Sequence, residues 1–433
     1  MDFCNRDFGF FDVASLLVCL NPYSRHDAAR ERLMRGARDE SMLNADGLSG
    51  EARTDFVHRV STYFHERKHF HDLLLTPYGN RIIREQFEYV VICASLFMRR
   101  RWKRGDRLEL PLRPPAIDPA DYELLVRYRN LAHATIEHAR AACELSAMLA
   151  QVQAIWMWSD EETTYAAMEE WRNVPLYGEM VSHLFDWPEE IGDLHDELSR
   201  AMHRIVLALG LGKSNSNDDS LGTLADVFRR LRSIIDANPR EGTRLAVRAS
   251  HEGWKAMIPN FKSAQDSNAK FAAKVRERLQ PWPQVVRELV IELVDEFSVQ
   301  AAALQKLVSD DPDAYVHLSR YVTERKLTMP RMLFFSVEDD LAVFDEPLDV
   351  DHYPLAAQNV HDLEDGQRKY SYRLVPATPP NAATMSERWE VYARDLCAFT
   401  ALFEPVDWNH PLKKLALNNL EKAGGVTFVR RFA

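Results

Sequence analysis

The stretch His65-Glu66-Arg67-Lys68-His69 stands in the middle of a segment whose pattern predicts one long helix over about residues 54–75. Thr54-Asp55 offers a helix N-cap, and Thr76-Pro77-Tyr78-Gly79 ends the pattern with residues that stop helices. Between these two signals, apolar side chains recur at helical spacing, at Phe56, Val60, Tyr63 and Phe64. The motif H-E-x-x-H therefore falls within a helix of about five turns, and the helix geometry sets the directions of the motif's side chains.

Two histidines four residues apart lie on one face of a helix, so His65 and His69 can bind the same metal ion. Glu66 lies about 100° around the helix from His65, beside the position that a water on the metal would take. Zinc lowers the pKa of such a water to about 7, and Glu66 could take its proton and pass it to a leaving amine. The spacing predicts His65 and His69 as ligands of Zn²⁺ and Glu66 as general base. A solvated helix with alternating charges is the alternative.

Two histidines and a water leave a zinc site short of one protein ligand. The extension H-E-x-x-H-x-x-G-x-x-H fails, because Asp72 and Leu75 stand at its glycine and last histidine positions. A glutamate on a later helix would complete the site. We rank Glu144 first, because it shares a polar stripe with His133 and Glu137 and is flanked by small residues. The remaining candidates are Glu137, Glu88 and Glu85, and the alternative is that all four are ordinary surface carboxylates.

With these residues the chain resembles the gluzincin branch of the zincin metallopeptidases, without pointing to one family within it. The resemblance implies a peptide or protein substrate, an edge strand that aligns the substrate, and a tyrosine or histidine that stabilises the oxyanion. No strand pattern before residue 54 clearly supplies the first of these. The candidates for the second are Tyr63, Tyr78, His71 and His133. The same ligands could serve another zinc hydrolase or a structural metal.

Two further interpretations stay open. Arg127 and His133 resemble the R-x(4–6)-H signature of the HEPN-type ribonucleases, which are helical modules that cleave RNA without a metal at a dimer interface. The third interpretation is a helical interaction protein without catalysis. Metal content separates the zinc hydrolase from both.

Composition narrows the classes of partner. The net charge of −11 and the pI of about 5.8 argue against a general affinity for nucleic acid, and the basic run Arg99–Arg104 is read as a solvated helix end. The five cysteines show no C-x-x-C spacing, which predicts a reduced, cytoplasmic protein. We find no signal peptide, and the apolar run Val13–Leu20 is too short to span a membrane.

Sixteen glycines in 433 residues and long segments rich in alanine, leucine, glutamate and arginine predict a mainly α multi-helix globular protein. Residues 1–50 are read as irregular, apart from a helix near 26–38. Strand patterns at Arg331–Val337, Lys369–Val375 and Val426–Val429 predict a small C-terminal mixed α/β region.

A loop at Gly210–Ser220, which lacks the full phosphate-binding pattern, divides the predicted domains. These are a helical domain over 1–210 with the H-E-x-x-H helix, a helical domain over 211–329, and the mixed region over 330–433. Further helices are expected over about 79–101, 119–158, 222–237, 240–256 and 266–308.

Overall fold

Eight helices account for most of the residues that the computed structural model describes, so the chain is mainly α-helical, as its composition predicts. The structure describes, apart from a few single positions, residues 9–13, 16–20, 44–99, 107–112, 118–159, 161–173, 195–213, 220–280 and 284–310, and the strand segments 331–334, 343–344, 355–362, 368–374 and 427–430. Within these ranges the helices are α1 (Gly50–Leu75), α2 (Pro77–Arg99), α3 (Pro119–Trp158), α4 (Glu161–Arg172), α5 (His195–Gly210), α6 (Ser220–Ala237), α7 (Pro239–Arg278) and α8 (Gln284–Asp310).

The ends of the two longest N-terminal helices test the capping signals. Asp118 is the N-cap of α3, where its side chain accepts a hydrogen bond from the Ala120 N–H and Pro119 follows it, as expected. The N-cap prediction at Thr54-Asp55 is wrong, because α1 already begins at Gly50, after Ser49. Inside this helix the Thr54 hydroxyl donates to the Gly50 carbonyl, so a residue suited to capping serves the helix interior instead.

The C-terminal helices differ from the prediction at one boundary. The sequence predicts a break between residues 256 and 266, yet α7 continues through Pro259 and ends at Arg278. A proline inside a helix removes one backbone hydrogen bond. Buried side chains at helical spacing hold this stretch in place despite that loss: Trp254, Met257, Phe261 and Ala264. The break lies instead between α7 and α8, where Pro281 and Pro283 stand.

Short strands join distant parts of the chain. Residues 1–50 are not simply irregular, because β1 (Gly9–Asp12) pairs antiparallel with β2 (Leu17–Leu20). The three predicted C-terminal strands are confirmed as β4 (Arg331–Phe334), β7 (Arg368–Leu374) and β8 (Thr427–Arg430), and β5 (Val343–Phe344) and β6 (Leu355–Asp362) flank β7. Strand β4 pairs parallel with β2, and β8 pairs parallel with β3 (Arg107–Leu110).

Helix α1 packs against α3, and the two helices run antiparallel. Near the start of α1, the Arg53 guanidinium donates to the Trp158 carbonyl at the end of α3. Farther along α1, His65 meets Glu144, which precedes Trp158 on α3. Helix α5 also approaches α3 closely, since a Cβ on Gly210 would lie 2.4 Å from the Ala142 Cβ. The small residues beside Glu144 therefore allow α5, as well as α1, to pack closely against α3.

A buried amide cluster holds the end of α1. The Asn80 side-chain amide donates to the carbonyls of Leu73 and Leu74 at 2.9 and 2.7 Å. The Asn80 Oδ1 atom accepts hydrogen bonds from Asn268 on α7 and Gln305 on α8, at 2.9 and 3.3 Å. Four helices therefore meet at one asparagine, which positions α1 relative to the rest of the bundle.

Some predictions lie outside the described residues, namely most of the helix near 26–38, the basic residues 100–104 and the loop residues 214–219. The division into domains at residues 210 and 330 stays a prediction. Among the described helices, none combines the length and the apolar character that crossing a membrane requires.

Candidate metal centre

The middle of α1 is buried although its sequence is dominated by charged and polar residues. None of the residues in question is more than 6% exposed: His65, Glu66, Arg67, Lys68, His69, His71 and Asp72. Burying ionisable groups costs free energy unless they are paired, hydrogen-bonded or bound to a metal. The alternative of a solvated helix with alternating charges is therefore wrong, and the polar face of α1 points into the protein.

Three of the predicted ligands converge on one point. The Nε2 atoms of His65 and His69 are 3.1 Å apart. Glu144 on α3 places Oε2 3.3 Å from the His65 Nε2 atom and Oε1 4.0 Å from the His69 Nε2 atom. Within the described residues, these three form the group of histidine, cysteine and carboxylate side chains that could hold a metal ion. The structure thus brings together His65, His69 and the first-ranked glutamate.

The spacing of the donor atoms fits a metal. In a tetrahedral site with ligands about 2.0–2.1 Å from the ion, neighbouring donor atoms lie about 3.3 Å apart. The Nε2 atoms of His65 and His69 lie 3.1 Å apart, and the His65 Nε2 and Glu144 Oε2 atoms lie 3.3 Å apart. The distance from the His69 Nε2 atom to the Glu144 carboxylate is 4.0 Å, and a small rotation of the carboxylate would adjust it. Two neutral imidazoles and one carboxylate are also a donor set that zinc accepts, with a fourth position left for water.

The pKa shifts of the triad formed by His65, His69 and Glu144 show how closely its members interact. Burial by itself lowers the pKa of His65, but the hydrogen bond to Glu144 and the nearby charge of Glu66 outweigh this and raise the pKa. Burial raises the pKa of Glu144, although His65 partly offsets it. The pKa of His69 is well below its usual value, because the ring is buried beside His65 and Lys68. His69 is therefore held neutral, which is the form that binds a metal.

Glu66 is a buried carboxylate close to His65. It sits on α1 one residue after His65 and is 0% exposed. Its charge is close enough to His65 to contribute to the raised pKa of that ring.

The Phe11 ring of β1 stacks against His69 at 6.3 Å between centroids, so an apolar side chain borders the centre on another side.

The other candidate glutamates point elsewhere. Glu137 is exposed and lies 3.7 Å from Arg140 on its own helix. Glu88 binds Lys274 and Arg278 of α7 at 2.5 and 3.1 Å. The structure therefore does not bring these two alternative ligands to His65 and His69.

Glu85 does not join the centre either, since it pairs with Arg81 and accepts a hydrogen bond from Thr135. The alternative that all four glutamates are surface carboxylates is wrong for Glu144, which is 1% exposed.

The four oxyanion candidates contact other parts of the protein. Tyr63 meets Phe64 edge-on, and His71 lies against Phe70. Tyr78 packs near His138 and Arg81, and its burial raises its pKa to about 12. His133 lies edge-on to Tyr89. The oxyanion assignment stays a prediction.

The two residues of the ribonuclease signature both lie on α3. Arg127 is exposed, whereas His133 is half-buried against Tyr89. Six residues correspond to about 240° around a helix, so the two side chains leave α3 on different faces. Arg127 and His133 could act together only if another protein surface completed one cleft around both. The ribonuclease interpretation stays a prediction.

Two groups at the centre were missed by sequence reasoning. Gln151 places its Oε1 atom 2.9 Å from the Nδ1 atom of His65. It follows Glu144 by seven residues, which is about two helical turns and hence the same face of α3, so the spacing could have identified it.

The second missed group lies beside the triad. Lys68 and Asp72 form a buried ion pair at 2.5 Å, and the Ser146 hydroxyl lies 3.0 Å from the Nε2 atom of His203 on α5. Lys68 and Asp72 are four residues apart on α1, so their spacing could have identified this pair. The contact between Ser146 and His203 depends on the packing of α3 against α5, which no local pattern shows.

Comparisons with protein families, with curated proteins and with solved structures returned no match to this chain. The functional inference below therefore depends on the geometry of the site.

Proposed function

We propose that the protein is a zinc-dependent hydrolase, and that it cleaves peptide bonds. The observation that carries this proposal is the convergence of His65, His69 and Glu144 from two helices, with donor atoms 3.1–4.0 Å apart in a buried position. A structural zinc would usually have four protein ligands, whereas three histidine and carboxylate ligands leave one position for water.

The chain's own residues would divide the work as follows. His65, His69 and Glu144 would hold a zinc ion, which when bound supplies a water with a pKa lowered to about 7. Glu66, one residue from His65, would accept the proton of this water and later deliver it to the leaving amine. The apolar wall formed by Phe11 would keep bulk water away, which strengthens the electrostatic interactions inside the site.

Glu66 favours a hydrolase over other uses of the same ligands. Two histidines and one carboxylate also bind iron in oxygenases. Such a site needs no second carboxylate beside the ligands, whereas hydrolysis needs a base to activate water. A carboxylate that is 0% exposed costs free energy to bury, and a metal ion held by the adjacent His65 would offset part of that cost.

The experiment that tests the proposal uses the full chain loaded with zinc and a library of fluorescence-quenched peptides. We expect cleavage that a chelator abolishes and added zinc restores. Glu66→Gln should keep about one zinc per chain and lose at least about 100-fold of the cleavage rate. The matched control is Glu252→Gln, because Glu252 follows His251 on α7 and is exposed. Cleavage that persists in Glu66→Gln, or loss of zinc from this variant, would show that Glu66 is not the base.

A further inference from the structure

The ring of His65 is contacted at both of its nitrogen atoms. Its Nε2 atom faces His69 and Glu144 at 3.1 and 3.3 Å. Its Nδ1 atom lies 2.9 Å from the Oε1 atom of Gln151. Glu144 and Gln151 are two turns apart on α3, so one helix face supplies both the carboxylate and the amide that meet this ring.

The amide oxygen decides which nitrogen of His65 carries the proton. An amide oxygen can only accept a hydrogen bond, so the Nδ1 atom beside it must be the donor. In a neutral imidazole with a proton on Nδ1, the lone pair is on Nε2. That nitrogen points at Glu144 and His69. Without a metal it carries the proton of the hydrogen bond to Glu144, and a metal that displaces this proton meets the Nε2 lone pair while Nδ1 stays protonated.

We propose that Gln151 is a positioning residue of the metal centre, which holds His65 with its Nδ1 protonated and its Nε2 aimed at the metal. The inference rests on the proposed function only in that His65, His69 and Glu144 must bind a metal. Outer hydrogen-bond partners of this kind orient histidine ligands and contribute about 10–100-fold to metal affinity.

A neutral amide also limits the negative charge of the centre. Glu144 and Glu66 already place two carboxylates near His65. A carboxylate in place of Gln151 would still accept a hydrogen bond from the Nδ1–H group, and its charge would make His65 a more basic ligand. Gln151 therefore provides the orientation without that added charge, and substitutions can change the two properties separately.

The test measures zinc affinity by competition with a chromophoric chelator, using zinc alone as the probe. Gln151→Leu removes the acceptor and should weaken zinc binding about 10–100-fold. Gln151→Glu keeps an acceptor and should bind zinc at least as tightly as the wild type. Gln153→Leu is the matched control, because Gln153 is exposed on the same helix and should leave the affinity unchanged. Helical content and the melting temperature without metal show whether each variant folds.

Each outcome separates this inference from the metal centre itself. A wild type that binds no zinc would overturn the metal centre and the role of Gln151 with it. A wild type that binds zinc, together with a folded Gln151→Leu of equal affinity, would overturn the role of Gln151 alone. If Gln151→Leu does not fold, the Glu variant decides: weakened zinc binding in a folded Gln151→Glu would contradict the proposed acceptor role, and wild-type or tighter binding would support it.

Discussion

The Nε2 atom of His65 lies 3.3 Å from the Oε2 atom of Glu144, although the two residues belong to different helices and are far apart in the sequence. Both side chains are almost completely buried, at 5% and 2% exposure. A pair of this kind is stable only if its charges are balanced, by a shared proton or by a metal. The relationship between these two residues is therefore the one on which the metal hypothesis can be tested most directly.

Removing a histidine ligand should abolish metal binding. The purified wild type should carry about one zinc per chain, and His69→Ala should lose it, because two ligands do not retain zinc at a catalytic site. Elemental analysis of the protein measures this directly. His251→Ala is the control, since His251 is exposed on α7 and is also followed by a glutamate. Wild-type protein without any transition metal, and without uptake of added zinc, would contradict the prediction.

The third ligand should be Glu144 and no other glutamate. Glu144→Ala should weaken zinc binding by more than about 100-fold, which exceeds the usual effect of outer hydrogen-bond partners. Glu137→Ala, on the same helix but exposed, should leave the zinc affinity unchanged. Chelator competition on the two variants measures the difference. Equal affinities for both would show that Glu144 is a buried acid without a metal role.

Breaking the buried pair of Lys68 and Asp72 should destabilise the fold in a pH-dependent way. Burial raises the pKa of Asp72 and lowers the pKa of Lys68. The 2.5 Å contact between the two groups is what lets each buried charge offset the other. Lys68→Met leaves Asp72 buried without the ammonium and should cost about 3–5 kcal/mol of unfolding free energy near neutral pH.

The sign of the pH dependence follows from the raised pKa of Asp72. When the folded pKa of a carboxyl lies above its unfolded pKa of about 3.9, the group contributes most to the free energy of unfolding below about pH 3.9. It loses this contribution as the pH rises through the folded pKa. Loss of the Lys68 ammonium raises the folded pKa of Asp72 further, so urea unfolding should show Lys68→Met as more destabilised relative to the wild type at pH 8 than at pH 5. Lys262→Met is the control, because Lys262 and Asp266 form an exposed pair with the same spacing, worth at most about 1 kcal/mol. An equal loss at both pH values would refute this account.

The asparagine at the end of α1 should be important for stability. Asn80→Ala removes the donors to two carbonyls of α1 and the acceptor for Asn268 and Gln305, all of them buried. Each orphaned buried group costs about 1–3 kcal/mol, so a loss of at least about 2 kcal/mol is expected in urea unfolding. Asn130→Ala at an exposed position of α3 should change the stability by less than about 0.5 kcal/mol. Similar values for the two variants would contradict the role of the junction.

The sequence by itself determined the features that depend on neighbours in the chain. Backbone hydrogen bonding places residues four apart on one helix face, so the spacing of His65 and His69 already implied that their rings meet. The aspartate and proline at 118 and 119 marked the start of α3 for the same local reason. The alternating strand patterns near the C-terminus were likewise readable from residue types alone.

Only the tertiary structure decided what depends on which faces of the helices pack together. Glu88, Glu137 and Glu144 all occur on predicted helices, but the packing directs the first to α7, the second to solvent and the third to the histidines. The charged stretch of α1 looked equally suited to solvent, because charge alternation is the same in a solvated and in a buried paired helix. The burial of this stretch and the contact with Gln151 arise from the packing of α3 against α1, and no local pattern encodes that approach.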